Sequence, residues 1–264
     1  MYFNHNKNVF FGAKKGIIVE KIKVGAVSYL NTKPLLYGIK RSSILDKIEL
    51  IEQYPSSIAS ILLEDKIDVG LVPVAIIPQL KEAHIVTDIC IGAEGAVGSV
   101  CLFSEVPVNQ IERVLLDYQS KTSINLFRVL MKEYWEKEVE IVNAKPGYQK
   151  EIKGTTAGVV IGDRAFEQRT ISPFIYDLAE TWELHTGLPF VFAAWVANKP
   201  LPVDFIEEFN AANKYGLNHM DEVIAENPYP LYDLKRYYTQ DISYQLTEDK
   251  RKGLELFLNK LKEL

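Results

Sequence analysis

Residues 22–36, IKVGAVSYLNTKPLL, decide the fold class of this chain. The first six residues form a short, mostly apolar run, which is typical of a strand buried in a sheet. Polar side chains then leave the end of this strand, and Pro34 favours the first turn of a following helix. The stretch therefore predicts a strand, a loop and a helix in succession, the repeating unit of an α/β protein.

The same alternation of apolar runs and amphipathic stretches continues along the chain. Strands are predicted at residues 22–30, 48–53, 68–74, 84–91, 98–104, 113–118, 139–144, 157–163 and 190–197. Helices are predicted at residues 57–65, 122–136, 204–216, 219–226, 231–238 and 248–262, the last with Thr247 as its N-cap. The alternation favours largely parallel sheets, and no strand is predicted after Ala197.

Two strand-rich halves followed by a helical tail predict two lobes joined by crossing strands. The chain is expected to leave the first lobe near residues 100–103 and to return near residues 192–196. The predicted division is an N-terminal extension at 1–21, a first lobe at 22–102, an inserted second lobe at 103–197 and a helical return at 198–264. A ligand in such an architecture binds between the lobes, at the C-terminal ends of strands.

The composition is that of an ordinary globular protein. Of the 264 residues, 47% are hydrophobic and 25% are charged, and 30 basic against 35 acidic residues give a net charge of −5. Binding to nucleic acid requires clustered lysines and arginines, so nucleic acid is not an expected partner. No stretch approaches the ~18 consecutive apolar residues of a membrane-spanning helix, and a membrane is not an expected partner either.

The N-terminus and the cysteines favour a cytoplasmic location. The apolar runs within residues 1–20 are short, Lys14 and Lys15 interrupt them, and no pattern typical of signal-peptide cleavage follows. Cys90 and Cys101 lie in apolar stretches, where buried thiols are a better interpretation than a disulfide framework.

The sequence contains no motif for metal or nucleotide chemistry. The four histidines are too scattered to predict a zinc site: His5, His84, His185 and His219. The glycines within residues 92–98 do not match the dinucleotide-binding fingerprint, and the P-loop and G-x-S-x-G patterns are missing. We therefore expect a protein that works without a metal or a cofactor.

The loop after the first strand carries polar side chains at the predicted cleft: Ser28, Tyr29, Asn31 and Thr32. Asn31 and Thr32 have two open interpretations. Either one of them caps the following helix, or the amide of Asn31, which both donates and accepts hydrogen bonds, orients a ligand hydroxyl or carboxylate.

A second loop, LLDYQSKTS at residues 115–123, brings three hydroxyls to the start of another helix: Ser120, Thr122 and Ser123. Backbone N–H groups lack partners in the first turn of a helix, where the macrodipole is positive. One hydroxyl is enough for a cap, so the surplus favours an anion site suited to a carboxylate. Simple capping is the alternative.

Three further segments are candidates for ligand contact. The small residues at 95–100, which include Ser99, permit either close approach to a ligand or tight packing near a hinge. Asp163 is the carboxylate expected nearest the ligand, with a surface or capping position as the alternative. The turn before the returning strand contains Gly187, Leu188 and Pro189.

Six motifs occur in an order that identifies a resemblance. They read VGAVSYLNTKPL, DVGLVPV, GAVGSVCLFSEVP, LLDYQSKTS, VVIGDRA and HTGLPFVFAAW, from about Lys23 to Asn198. In this order they resemble the chorismate dehydratases, which open the futalosine route to menaquinone. The resemblance implies an α/β, two-lobed fold like the type II periplasmic binding proteins, with the ligand cleft between the lobes. It also implies a lyase that converts chorismate to 3-[(1-carboxyvinyl)oxy]benzoate without a cofactor.

The motifs and the resemblance together predict the site. Asn31 and Asp163 are the catalytic candidates. The substrate-binding candidates are Ser28, Tyr29, Thr32, Ser99, Ser120, Thr122, Ser123, Gly187, Leu188 and Pro189. A sibling family, which makes 1,4-dihydroxy-6-naphthoate, is implied to carry a catalytic His at the position of Gly162, so Gly162 favours the dehydratase.

The base that removes the proton is the open point of this mechanism. Our hypothesis is that the enolpyruvyl carboxylate of chorismate is the base, while Asn31 holds the side chain and the leaving hydroxyl in line. Asp163 is the rival base, and His185 is more simply interpreted as a wall or surface residue.

Two other classes of protein share such a fold. A non-enzymatic receptor for small carboxylates would be expected to carry a signal peptide or lipobox, and residues 1–21 contain neither pattern. The regulatory domain of a transcription factor would be expected to follow a helix-turn-helix motif, and none precedes Ile22.

Overall fold

The computed structural model describes residues 20–264, and almost all of the extension predicted at residues 1–21 lies outside the described residues. The strands are β1 Ile22–Val27, β2 Ile48–Gln53, β3 Val69–Pro73, β4 His84–Ala93, β5 Val100–Ser104, β6 Arg113–Leu116, β7 Glu140–Asn143, β8 Thr156–Ile161, β9 Phe174–Asp177, β10 Phe190–Ala197 and β11 Ser243–Gln245. The helices are α1 Lys33–Lys40, α2 Ile44–Lys47, α3 Pro55–Leu63, α4 Lys121–Glu133, α5 Asp163–Arg169, α6 Leu178–Thr186, α7 Val203–Leu217, α8 Met220–Glu226, α9 Leu234–Arg236 and α10 Glu248–Lys260. A π-helical segment, Tyr237–Asp241, follows α9.

The strands form two mixed sheets, one in each lobe. The first sheet has the order β11-β4-β10-β3-β1-β2, and the second has the order β7-β6-β8-β5-β9. The strands joined by helical crossovers are parallel: β1 with β2 and β3, and β6 with β7 and β8. The strands that follow a crossing between lobes, β5 and β10, run antiparallel to their neighbours. The prediction of an α/β fold with two lobes is confirmed.

The chain crosses between the lobes twice. Residues 94–99 lead from β4 to β5, and residues 187–189 lead from α6 to β10. The sequence places these crossings slightly later, inside β5 and β10. In the structure each of these strands belongs wholly to one sheet, because β5 completes the ladders of β8 and β9, and β10 those of β3 and β4.

The tail after β10 is mainly helical and packs onto the first lobe. The prediction that it contains no strand is wrong, because β11 pairs with β4 and forms one edge of the first sheet. Three residues are too few to show an alternating pattern, and the ladder depends on a partner about 150 residues earlier in the chain.

Close helix packing holds this tail behind the β1–α1 loop. A Cβ atom at Gly38 of α1 would lie 1.8 Å from the carbonyl oxygen of Ala212, and one at Gly216 of α7 would lie 1.7 Å from that of Pro34. Only glycine allows the two backbones to approach so closely. Cys90 and Cys101 are buried free thiols, as predicted.

Candidate active site

A cleft between the two lobes collects most of the polar side chains singled out in the sequence. Its polar lining consists of Tyr29, Asn31, Thr32, Ser99, Ser120 and Ser123. Its remaining walls are apolar or small: Val27, Pro55, Leu71, Pro73, Ile91, Val97, Val100, Ile161, Gly162, Phe192 and Ala193. Among the described residues, the lining therefore includes no carboxylate, no imidazole and no ammonium or guanidinium group.

Asn31 lies in a single 3₁₀ turn between β1 and α1. Its side-chain oxygen accepts a hydrogen bond from the Thr32 hydroxyl (3.1 Å), and its carbonyl oxygen accepts one from the Tyr244 hydroxyl (2.9 Å). Neither Asn31 nor Thr32 caps α1 through its side chain. The capping interpretation is therefore wrong, and Asn31 is held in the cleft wall by one hydrogen bond to its side chain and one to its backbone.

The hydroxyls at the start of α4 have divided roles. Ser120 is the N-cap, and its hydroxyl oxygen accepts hydrogen bonds from the backbone N–H of Ser123 (3.3 Å) and the Ser123 hydroxyl (3.2 Å). The oxygen of Thr122 accepts a hydrogen bond from the backbone N–H of Ala75 in the first lobe (3.1 Å). Thr122 thus links the lobes and does not line the cleft, whereas Ser120 and Ser123 do.

Ser99 lies at the end of the first crossing and is only 1% exposed. Its carbonyl oxygen accepts a hydrogen bond from the backbone N–H of Gly162 (2.8 Å), and its hydroxyl oxygen accepts one from the Tyr237 hydroxyl (2.8 Å). Gly162 has a φ of +63°, and a Cβ atom there would lie 3.0 Å from the Tyr29 ring. A histidine at this position would be strained and would displace Tyr29.

Asp163 joins the lobes at the edge of the cleft. Its carboxylate accepts a hydrogen bond from the backbone N–H of Leu30 (3.2 Å), and its carbonyl oxygen accepts one from the Tyr229 hydroxyl (3.0 Å). Burial raises the pKa of this carboxyl, an effect opposed by the Leu30 N–H and by the charges of Lys33 and Arg164. The cap position of α5 belongs to Gly162, so Asp163 is not that helix's cap.

Sequence reasoning missed a polar network behind Tyr29. The hydroxyl of Tyr29 donates across the cleft to the side-chain oxygen of Gln119. Arg164 donates to the same oxygen (2.6 Å) and to the buried carboxylate of Asp117 (2.7 Å), which also lies 2.8 Å from the Tyr148 hydroxyl. Burial raises the pKa of Tyr29 above its usual value, which keeps the phenol a hydrogen-bond donor.

Besides Thr122, four other predicted ligand contacts do not line the cleft. Ser28 is exposed, and its backbone N–H donates to Gln53 at the first sheet's edge. The other three occupy the second crossing: Gly187, Leu188 and Pro189. Gly187, with a φ of +72°, ends α6, and Pro189 packs against α10, where a Cβ at Gly253 would lie 2.2 Å from its carbonyl oxygen. Residues 187–189 form the turn between α6 and β10 and pack against the tail. Their assignment as ligand contacts is corrected accordingly.

Outside the cleft, His185 lies 3.1 Å from the Glu133 carboxylate, in agreement with its interpretation as a wall or surface residue. Residues 20–264 contain no group of three or more His, Cys, Asp or Glu side chains placed to hold a metal ion. Within the same part of the chain, no helix has the length and apolar character needed to cross a membrane.

Solved structures confirm the fold type. A protein from Archaeoglobus fulgidus superposes with a TM-score of 0.71 at 15% identity, over 92% of this chain and 97% of that one. A Candida albicans protein described as having the generic periplasmic binding protein fold gives 0.62 at 12% identity, over 93% and 91% of the two chains. An alkanesulfonate-binding protein from Xanthomonas axonopodis pv. citri gives 0.60 at 14%, over 92% of each. The two-lobed, periplasmic-binding-protein-like fold is thereby confirmed.

Sequence relatives are more specific than the structural neighbours. A chorismate dehydratase from Thermus thermophilus is 26% identical to this chain over 269 aligned positions, covering 90% of this chain and 94% of that protein. This similarity agrees with the resemblance carried by the six motifs. A family model described as menaquinone biosynthesis matches residues 22–263, which is nearly the whole described structure, and the chain therefore belongs to the menaquinone biosynthesis family.

Proposed function

We propose that this protein is a hydro-lyase that removes water from chorismate to give 3-[(1-carboxyvinyl)oxy]benzoate, the first step of the futalosine route to menaquinone. The observation that carries the proposal is the lining of the cleft. Uncharged side chains that can donate hydrogen bonds, Asn31, Ser99 and Ser120, line the same cleft among apolar walls. Such a site can hold a small, ring-shaped dianion by directed hydrogen bonds.

The start of α4 is the proposed carboxylate subsite. Ser120 and Ser123 line the cleft there, and the first-turn N–H groups of α4 lie at the positive end of the macrodipole. An anionic group of the substrate is therefore favoured on the second-lobe side, with Asn31 on the opposite wall.

The elimination needs a base, and the cleft lining does not supply one. The C–H bond at the ring carbon bearing the enolpyruvyl ether breaks, its electron pair forms the new ring double bond, and the neighbouring C–O bond breaks. The carboxylate of the enolpyruvyl group takes the proton and passes it to the departing hydroxyl, which leaves as water, so the carboxylate returns to its charged form. Asn31 holds the side chain and the leaving group in line, so orientation and charge stabilisation are the protein's contributions.

Asp163 is the rival base and is less well placed for the role. Its carboxylate is already bound to the backbone N–H of Leu30 and lies outside the cleft lining. A general base must come within about 3 Å of the proton it removes, directly or through one water. Asp163 would therefore have to reach the substrate from outside the present lining of the cleft.

The decisive experiment is incubation of the purified protein with chorismate. We expect a new aromatic product whose mass is that of chorismate less one water, with an absorbance change that scales with protein concentration. Binding of chorismate in calorimetry without any product would favour a non-enzymatic carboxylate receptor of the same fold. Neither binding nor product would overturn the proposal altogether.

A further inference from the structure

Tyr237 stands directly behind Ser99 and has no place in the mechanism so far. Its side chain is fully buried, and its hydroxyl is 2.8 Å from the hydroxyl oxygen of Ser99. We infer that Tyr237 is a positioning residue that makes Ser99 a one-way hydrogen-bond donor to the substrate. The inference deepens the proposed function and rests on it for its turnover measurements.

The position of the Tyr237 ring is set by packing on several sides. The residue begins the π-helical segment Tyr237–Asp241, a helix type that often marks functional positions. Its ring meets Phe166 of the second lobe edge to face, with centroids 4.9 Å apart and an interplanar angle of 89°. Tyr232 makes a similar contact at 6.0 Å. Because the ring is held in this way, the hydroxyl has little freedom to seek another partner.

The direction of the Tyr237–Ser99 hydrogen bond follows from burial. Within residues 20–264, Ser99 is the one hydrogen-bond partner of the Tyr237 hydroxyl. If Ser99 donated to Tyr237, the phenolic hydrogen would be left buried without an acceptor, which costs free energy. If Tyr237 donates, the hydrogen of Ser99 is free to turn into the cleft that Ser99 lines. Burial also raises the pKa of Tyr237 well above its usual value, so the phenol keeps its proton.

The consequence is a fixed polarity at one wall of the cleft. With one lone pair of Ser99 occupied by the Tyr237 hydroxyl, the hydrogen of Ser99 is free for the cleft, which suits an oxygen that gains negative charge as the C–O bond breaks. The carbonyl oxygen of Ser99 is already bound to the backbone N–H of Gly162, so its backbone cannot rotate to change this. Such preorganised donors matter most in the transition state.

The test is a double-mutant cycle on Tyr237→Phe and Ser99→Ala. We expect kcat for chorismate to fall by about 10²-fold in Ser99→Ala and by about tenfold in Tyr237→Phe. The dissociation constant for chorismate should rise in the same order but by smaller factors, because the donor binds the ground state less strongly than the transition state. Removing the Tyr237 hydroxyl from the Ser99→Ala protein should change kcat by less than about twofold, because the donor to be oriented is gone.

Tyr238→Phe is the matched control. Tyr238 is the next residue, is 2% exposed, and has a buried hydroxyl with no partner among the described residues. Its replacement should leave kcat unchanged and report any general effect of removing a tyrosine hydroxyl from this segment. Three results would each overturn the inference. They are a wild-type kcat in Tyr237→Phe, independent effects of Tyr237→Phe and Ser99→Ala on kcat in the double variant, and an equal loss of kcat in Tyr238→Phe.

Dissociation constants for chorismate, measured for the same set of variants, separate the role of Tyr237 from the proposed dehydratase activity. Dissociation constants for chorismate should show the same lack of additivity between Tyr237→Phe and Ser99→Ala. A wild-type protein that binds chorismate without turnover would refute the dehydratase, while coupled binding losses would still support the donor role of Ser99. Independent binding losses would refute that role.

Discussion

The β1–α1 loop and the β6–α4 loop are built alike but use their polar side chains differently. Each follows a strand with parallel neighbours and leads into a helix that starts at the cleft. In the first loop, neither Asn31 nor Thr32 caps its helix. In the second, Ser120 caps its helix and Thr122 binds the backbone N–H of Ala75 in the opposite lobe.

A proline and a preceding 3₁₀ turn, in which the Lys33 N–H donates to the Leu30 carbonyl oxygen, reduce the need for a side-chain cap in the first loop. Pro34 occupies the first turn of α1, and proline has no N–H group that needs a partner. The first turn of α4 contains Lys121, Thr122 and Ser123, each with an N–H group, so a cap is useful there and the turn is electropositive. The first loop is therefore free to offer a side-chain amide, while the second offers backbone N–H groups and capping hydroxyls.

The largest expected effect comes from removing the amide of the first loop. Asn31→Ala should keep its fold, because the side chain caps nothing, and should lose about 10³-fold or more in turnover if alignment of the substrate is its role. Steady-state kinetics with chorismate and thermal unfolding measure the two effects.

Asp163→Asn and His185→Ala are the controls for this prediction. Both should retain most of the turnover if the base is supplied by the substrate. A variant of either residue that binds chorismate normally but loses about 10³-fold in turnover would show that the protein supplies the base.

The second loop should affect binding more than catalysis. The double variant Ser120→Ala, Ser123→Ala, which removes the two hydroxyls of this loop that line the cleft, should weaken chorismate binding, because a hydrogen bond to a charged group contributes about 1.5–3 kcal/mol. Loss of the cap should lower the free energy of unfolding by about 1 kcal/mol. Calorimetric titration and chemical denaturation give the two quantities.

Thr247→Ala is a matched control, because Thr247 caps α10 in the same way and is absent from the cleft lining. It should lose similar stability and bind chorismate normally. Normal binding by the folded double variant would show that the hydroxyls of the second loop are caps only.

Contacts between the two loops and the opposite lobes predict closure over the ligand. The backbone N–H of Leu30 binds Asp163 and that of Ala75 binds Thr122, and the cavity left between the lobes is only about 50 Å³. A volume of that size suits a few waters rather than chorismate, so the lobes must part to admit it. We therefore expect the lobes of the ligand-free protein to separate in solution and to be held together by bound chorismate or product. Saturating ligand should then reduce the radius of gyration in solution scattering, and an unchanged value would indicate a rigid cleft.

Asp163 should leave a small signature in the pH dependence of stability. Because burial raises its pKa in the folded protein, the folded state binds the proton more tightly than the unfolded state. The contribution of Asp163 to the free energy of unfolding is then fully present below the usual pKa of 3.8. It is lost as the pH rises through the raised pKa of the folded state. Asp163→Asn should flatten this part of the curve of unfolding free energy against pH. A curve identical to wild type would show that Asp163 is not buried enough to matter.

The smallest expected effect is that of a strong chelator. Since the described lining offers hydroxyls and amides, which are poor ligands for transition metals, turnover should survive chelation. Loss of activity that a divalent ion restores would contradict this expectation.

Local pattern was enough to predict much of this protein. Short apolar runs ended by polar residues located β1, β2 and β10 closely, because burial in a sheet imposes its pattern on neighbouring residues. The ordered motifs indicated the family, and the loops carrying Asn31 and Ser120 both proved to line the cleft.

Tertiary structure alone decided how those residues work. No local pattern distinguishes the Ser120 cap from the Thr122 link between lobes, since the partner of Thr122 is Ala75, 47 positions away. The three-residue strand β11 and the Tyr237–Ser99 bond likewise depend on segments about 150 and 138 positions apart. The periodicity of apolar residues shows which face of a segment is buried. The partner of a hydrogen bond depends instead on how distant segments pack together.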